Sequence, residues 1–136
     1  MSIRDVMTSD PRTVTTGSTV AEAARLMRDE NTGVVPIVEG EKLVGVITDR
    51  DITIGVVADG KDPQATKVDE AASKNLVTID PQQDLDEALR LMAEHQVRRL
   101  PVTEEDGRLV GIVAQADVAK HADAHRTGKV VEDISK

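Results

Sequence analysis

Along this chain the alternation of apolar and polar positions changes period several times, and the whole series of changes occurs twice. A short β-prone run, "RTVT", leads into a stretch where Val20, Ala23, Ala24 and Met27 share one face of a predicted helix. The apolar runs "VVPIV" and "LVGVI" follow on either side of "EGEK", which predicts a hairpin with Gly40 in its turn. A second helix is predicted from Asp49 to Ala58. The series then returns: "LVTI", a stripe of Leu85, Ala88, Leu89 and Met92, the runs "RLPVT" and "RLVGIV" around "EEDG" with Gly107, and a helix from Gln115 to Ala124. The capping pairs Thr19/Glu22 and Asp84/Glu87 open the two long helices at matching positions.

Alignment makes the duplication explicit. Residues 13–38 match residues 78–103 at a shift of 65, sharing "RLM" and the pairs Thr13/Thr78, Glu22/Glu87, Ala23/Ala88 and Pro36/Pro101. After one inserted turn residue, "KLVGVI" meets "RLVGIV" at a shift of 66, and Asp51 meets Asp117. Each copy is strand, helix, strand, strand, helix, and "ADGKDPQATK" between them reads as a loop. One copy is too small to bury both its helix stripes and both faces of its sheet. The expected fold is therefore α+β: tandem β-α-β-β-α repeats packed sheet to sheet about a pseudo-twofold axis, as one compact body. The repeats span 1–66 and 67–136. "IRDVMT" and "VDEAAS" are expected as lead-in turns feeding the repeats they precede, with "VVEDIS" as a leftover third lead-in.

Composition narrows the chemistry. At 136 residues the chain can build one core without staples, and having no cysteine it has neither disulfides nor thiolate sites. "MSIRDVMTSD" lacks the apolar core of a signal peptide and no apolar run approaches a membrane span, so a soluble cytoplasmic protein with no membrane partner is expected. A formal charge of −8 disfavours nucleic-acid backbones, and the absence of Phe, Trp and Tyr removes the usual platforms for stacking bases. A planar ligand would have to lie between aliphatic side chains and main chain.

The candidate chemistry concentrates in "GVITDRDI". Thr48 and Asp51 have the spacing of a capping box. The same two groups could serve a nucleotide, the carboxylate accepting from ribose hydroxyls and the threonine hydroxyl donating to a phosphate. The second copy has Ala114 and Ala116 in place of Thr48 and Arg50, and keeps Asp117. "VRRLPV" supplies Arg98 and Arg99 where the first copy has Gly33 and Val34. These arginines could reach a phosphate, or pair with Glu94 or Glu104. Val14, Val35 and Ile37, with Ile79, Leu100 and Val102, read as core first. Pro36 and Pro101, lacking an N–H, mark an edge or a strand start. His121 and His125 have a helical spacing compatible with a metal, but a solvated helix end is the reading preferred for them, as for His95, and no metal is expected. There is no phosphate loop, nucleophile elbow or carboxylate pair, so an enzyme is not expected.

Taken together, "VMTSDPRTV", "VPIV"/"LPVT", the two "LVG" strands and "VITDRDI" resemble the paired cystathionine-β-synthase-type (CBS) domain, or Bateman module, over nearly the whole chain. "TDRDI", "ADGKDP", "EHQVRRLPV" and "RLVGIVAQADVAKH" resemble more narrowly its short stand-alone members, the hypoxic response proteins, which suggests a stress response. The resemblance implies a regulatory module with no cofactor, binding AMP, ADP, ATP or S-adenosylmethionine as a regulatory ligand in clefts between repeats, and a disc-like homodimer. It places Thr48, Asp49, Arg50 and Asp51 on ribose and phosphate, and Asp117 in the second cleft. Arg98 and Arg99 would reach phosphate, and Val14, Val35, Pro36, Ile37 and Ile79 would border the adenine. Loss of the hydroxyl at Ala114 implies unequal clefts, the one with Thr48 and Asp51 being the better. The zinc chemistry of some hypoxic response proteins is not carried over to a chain without cysteine. The expected function is a non-enzymatic nucleotide sensor; the alternative is a structural or protein-interaction pair with empty clefts. The identity of any protein partner stays open.

Overall fold

The computed structural model describes residues 1–73 and 76–122. "VVEDIS", His125 and the end of the second closing helix lie outside the described residues. The chain divides into two compact units, each built around one repeat.

The first-repeat unit comprises Asp10–Leu76 with Asp106–Leu109. Its sheet has the order β2 (Val14–Thr15), β3 (Val34–Glu39), β4 (Lys42–Thr48). β2 runs parallel to β3 with Val14 opposite Ile37, and β3 runs antiparallel to β4 with Val34 opposite Thr48. Gly40 turns this hairpin at φ +63°, where a side chain would be strained. Helix α2 (Val20–Glu30) begins where the Thr19 hydroxyl accepts the Glu22 amide at 3.2 Å, and it ends at Asn31 in the left-handed conformation. It buries Val20, Ala23, Leu26 and Met27 against Val14, Val35, Ile37 and Ile47. Ala24, expected in that stripe, is exposed and Leu26 is buried instead; the stripe is turned toward the Ala23 side, where the larger leucine side chain buries more apolar surface than an alanine would.

The closing helix of this repeat is not uniformly α-helical. It runs as α3 (Asp49–Ile52) and continues as a π-helical turn over Thr53–Val57, where the Ala58 amide reaches back five residues to the Thr53 carbonyl at 2.9 Å. The Thr53 hydroxyl donates to the Asp49 carbonyl at 2.9 Å, and such back-bonding with Gly55 just beyond loosens the regular ladder. Val56 is buried by this turn while Ile54 and Val57 face outward.

The second-repeat unit comprises Met1–Ser9, Val77–Glu105 and the chain from Val110 onward as far as it is described. Its elements are α1 (Ile3–Val6), β1 (Thr8–Ser9), α5 (Leu85–His95), β5 (Arg99–Thr103), β6 (Leu109–Ala114) and α6 over residues 115–122, with sheet order β1-β6-β5. α5 buries Leu85, Ala88 and Met92 against Leu100, Val102 and Val113.

The lead-ins do not feed the repeats they precede. α1 and β1 belong to the second-repeat unit, where Ile3 is fully buried, its amide donates to Gln83 at 2.9 Å, and Thr8 pairs antiparallel with Ile112 of β6. Reciprocally, the second lead-in, α4 (Val68–Ala71), buries Val68 in the first-repeat core. Ser73 there exchanges main-chain hydrogen bonds of 3.1 and 3.3 Å with Val46 of β4. The last strand of each hairpin has an open flank of N–H and C=O groups, and the exchanged lead-in satisfies it. The 1–66 and 67–136 spans describe the duplication; the compact units cut across it.

The prolines were expected at an edge or a strand start. Pro36 is instead the third residue of β3, buried in the central strand of its sheet. The second repeat shows the reason. Ile79 donates to the Pro101 carbonyl at 3.1 Å and accepts from Thr103 at 3.0 Å, but the next rung back would need the N–H that Pro101 lacks. The proline therefore ends the parallel ladder from inside the strand. Accordingly β2 has two residues and its counterpart is a single bridge, Ile79 with Val102.

The two "LVG" glycines should respond differently to a side chain. A Cβ at Gly111 would lie 2.5 Å from the Met7 sulfur and 2.9 Å from the Thr8 carbonyl, whereas at Gly45 its nearest neighbour is the Ser73 carbonyl at 3.4 Å. Gly111→Ala should cost about 1–3 kcal/mol by forcing the first lead-in off β6, and Gly45→Ala less than about 0.5 kcal/mol. Urea denaturation of both variants measures the difference.

Candidate functional site

In the first-repeat unit the β3–β4 pairing brings Val34 opposite Thr48, and the Asp49 amide donates to the Gly33 carbonyl at 2.9 Å. The start of β3 and the start of α3 thus form one junction that gathers Gly33, Thr48, Asp49, Arg50 and Asp51. Thr48 and Asp51 form a reciprocal capping box: the Thr48 hydroxyl accepts the Asp51 amide at 3.0 Å, and Asp51 Oδ2 accepts the Thr48 amide at 2.9 Å. The box does not exhaust either group. The hydroxyl still has its own proton to donate, and among the described residues Asp51 Oδ1 has no hydrogen-bond partner. Both residues are half-buried. Asp49, exposed, accepts the Arg50 amide at 2.8 Å and lays Oδ2 within 2.9 Å of where a Cβ on Gly33 would sit. This close approach had no clear signal in the sequence beyond a glycine just before a strand.

The second-repeat unit has the same junction with other chemistry. The Gln115 amide donates to the Arg98 carbonyl at 2.7 Å, which sets Arg98 and Arg99 beside the start of α6. Ala114 has no hydroxyl, so no reciprocal box forms, and the Asp117 carboxylate has no hydrogen-bond partner among the described residues. The ion pairs considered for the arginines are not made. Glu94 is held by Arg90 at 2.8 Å, and Glu104 by Arg4 at 2.9 Å. Arg90 also grips Glu87 at 2.6 Å, which holds the Glu87 carboxyl below its usual range. No ion pair among the described residues uses Arg98 or Arg99.

The strand residues expected beside an adenine are core residues. Val14, Val35, Ile37 and Ile79 are 8, 1, 1 and 4 % exposed, and Pro36 is buried. His121 donates from Nδ1 to the Asp117 carbonyl at 2.8 Å, tying one ring nitrogen to its own helix, and His95 is exposed at the end of α5. Among the described residues no cluster of three His, Asp or Glu could hold a metal, and no helix is long and apolar enough to cross a membrane.

The CBS domain family model matches residues 3–57 and 68–124, in register with the two repeats. The chain is a CBS-domain pair. It is 42% identical over 135 residues to the CBS domain-containing protein YhcV of Bacillus subtilis, covering 98% of this chain and 95% of that one. The crystal structure of Hypoxic Response Protein I with two coordinated zinc ions is 40% identical, with a TM-score of 0.82 over 89% of this chain and 98% of that one. The CBS pair of protein MJ0100, in complex with 5′-methylthioadenosine and S-adenosyl-L-methionine, is 25% identical with a TM-score of 0.81 over 92% of this chain and 98% of that one. The CBS-pair fold, with helices, strands and two sheets, is the one the duplication predicts.

The capping box of this CBS pair makes Asp51 a stability residue before any ligand is considered. Asp51→Ala should lose about 1 kcal/mol in the absence of ligand. Asp51→Asn, whose amide oxygen can still accept the Thr48 amide, should lose much less. Thermal denaturation of the two purified variants compares them.

Proposed function

We propose that this CBS pair is a non-enzymatic regulatory sensor of adenosine-type ligands: AMP, ADP, ATP or S-adenosylmethionine. The observation that carries the reading is the half-used state of the first junction. A carboxylate oxygen and a hydroxyl proton are held in place by the capping box and have no other partner among the described residues. A ribose with two adjacent hydroxyls suits such an acceptor. Arg98 and Arg99, outside every ion pair among the described residues, offer donors for a phosphate. The relative crystallised with S-adenosyl-L-methionine supports the ligand class. Binding would act by population shift, favouring whichever conformation contacts the ligand best. The reading includes a homodimer acting in the cytoplasm; the outward-facing Ile54 and Val57 support self-association.

A second reading is a structural or protein-interaction pair whose sites stay empty. The same capping box favours it, because Thr48 and Asp51 already satisfy each other, as do the buried strand residues.

Ligand addition separates the readings. A ligand at 100 times its Kd adds about 2.7 kcal/mol, so a thermal midpoint rise on the order of 10 °C is expected with at least one of the four compounds. The rise should vanish in the Asp51→Asn/Asp117→Asn variant, which keeps the cap. Unchanged midpoints with all four leave the interaction reading in place. Sedimentation should find a dimer at micromolar concentration, and a monomer there removes that part of the reading.

A further inference from the structure

We propose that Met7 is an oxidation-sensitive latch: a peroxide converts its thioether to the sulfoxide, and the first lead-in then comes away from β6. The inference is independent of the ligand reading and uses only contacts inside the second-repeat unit.

The chain has no cysteine, so its four methionines are its only sulfur. They are not equivalent. Met27 and Met92 are buried, each on the core face of a long helix. Met1 is exposed and belongs to neither core cluster. Met7 is half-buried and packs against the second-repeat core from the joint between α1 and β1. Of the three methionines that pack, it is the least shielded, and methionine oxidation follows exposure.

The Met7 sulfur occupies the place that a side chain on β6 would take. A Cβ at Gly111 would lie 2.5 Å from Met7 Sδ and 3.0 Å from Cγ, with the Thr8 carbonyl oxygen at 2.9 Å. The thioether therefore sits directly against the glycine while Thr8 and Ser9 pair with Ile112 and Gly111. The first-repeat unit lacks this contact. There the lead-in residue matching Met7 is Ala72, and no atom of it comes within 4 Å of a Cβ on Gly45. The Ser73 carbonyl, counterpart of that of Thr8, stands off at 3.4 Å. Both lead-ins are held by main-chain bonds and a buried aliphatic residue, Ile3 or Val68, but only the first adds a sulfur wedge.

In the oxidation a sulfur lone pair attacks one peroxide oxygen. The S–O bond forms as the O–O bond breaks, and the rest of the peroxide leaves as water or an alcohol. Sulfur loses two electrons and the peroxide gains them. A polar S–O group then stands where an apolar thioether was packed. The Gly111 side has no space for the added oxygen, and the Thr8 carbonyl beside it is another acceptor with no proton to offer. The sulfoxide is solvated only by moving out. With α1 four residues long and β1 two, little besides Ile3 and the main-chain bonds opposes that movement. A dithiol-dependent sulfoxide reductase removes the oxygen as water and forms a disulfide in the reductant, which makes the latch reversible.

The test treats the full chain with hydrogen peroxide and follows oxygen uptake by peptide mass spectrometry and opening by amide hydrogen exchange. Met7 should take up oxygen before Met27 and Met92. Once it is oxidised, the amides of residues 3–9 should exchange about tenfold faster, while those of residues 68–73 stay within about twofold. A methionine sulfoxide reductase with a dithiol should restore the slow rate. In Met7→Leu, apolar and without a sulfur, exchange at residues 3–9 should not respond to peroxide. The comparison of the unaltered protein before and after oxidation stands even if that variant folds poorly. Oxidation of Met27 or Met92 ahead of Met7, or Met7 sulfoxide with unchanged exchange at residues 3–9, would overturn the latch. Peroxide-driven loosening that persists in Met7→Leu would overturn it too.

Discussion

One main-chain hydrogen bond, made once in each repeat, places everything of chemical interest in this CBS pair. The amide that opens the closing helix donates to the carbonyl just before the hairpin, at 2.9 Å for Asp49 and Gly33 and 2.7 Å for Gln115 and Arg98. An amide in the first turn of a helix has no partner within that helix, so a bond to a neighbouring carbonyl is the natural way to satisfy it. The consequence is geometric. The polar residues after the last strand must gather beside the residue before the first strand of the hairpin. Residues far apart in the chain, such as Gly33 and Asp49, become neighbours whatever their identity. Variation in those few residues can then change the chemistry of the junction without disturbing the fold.

The parts of the fold written in local periodicity were legible in the sequence. Both long helices begin at the residues their capping pairs mark, and the hairpins turn at Gly40 and Gly107 with positive φ. Local pattern could not say which sheet a lead-in would join. "IRDVMT" and "VDEAAS" carry the same signal whether they pack on their own repeat or on the other, and both β4 and β6 offer an equivalent open flank; the pairings observed are Thr8 with Ile112 and Ser73 with Val46. Pro36 misled for a related reason. The absence of an N–H says that one rung is missing but not which ladder loses it, and here the loss falls on the short parallel pairing rather than on the hairpin. The π-helical turn at Thr53–Val57 likewise arises from a hydroxyl competing for a carbonyl, which a count of apolar positions does not register.

At the junction, the alternatives that the sequence posed for Thr48 and Asp51 are not exclusive. A capping box uses one oxygen of the carboxylate and the lone pairs of the hydroxyl, and it leaves the other oxygen and the proton. It also fixes both side chains, so a ligand meeting them loses less conformational entropy than it would by ordering free ones. The cap and a ligand can therefore share the same two residues. Of the alternatives for the arginines the structure removes one: Glu94 and Glu104 are held by Arg90 and Arg4, so Arg98 and Arg99 do not pair with them.

Duplication supplies two copies of one frame, and this chain has kept the frame while letting the junctions drift apart in charge. Retention of Asp51 and Asp117 at the same position argues that the feature common to both junctions is an acceptor, not a net charge. As surface charges without ion-pair partners among the described residues, Arg98 and Arg99 would by themselves bring only weak electrostatics, worth well under about 1 kcal/mol. Stability alone gives little reason to keep such an arrangement.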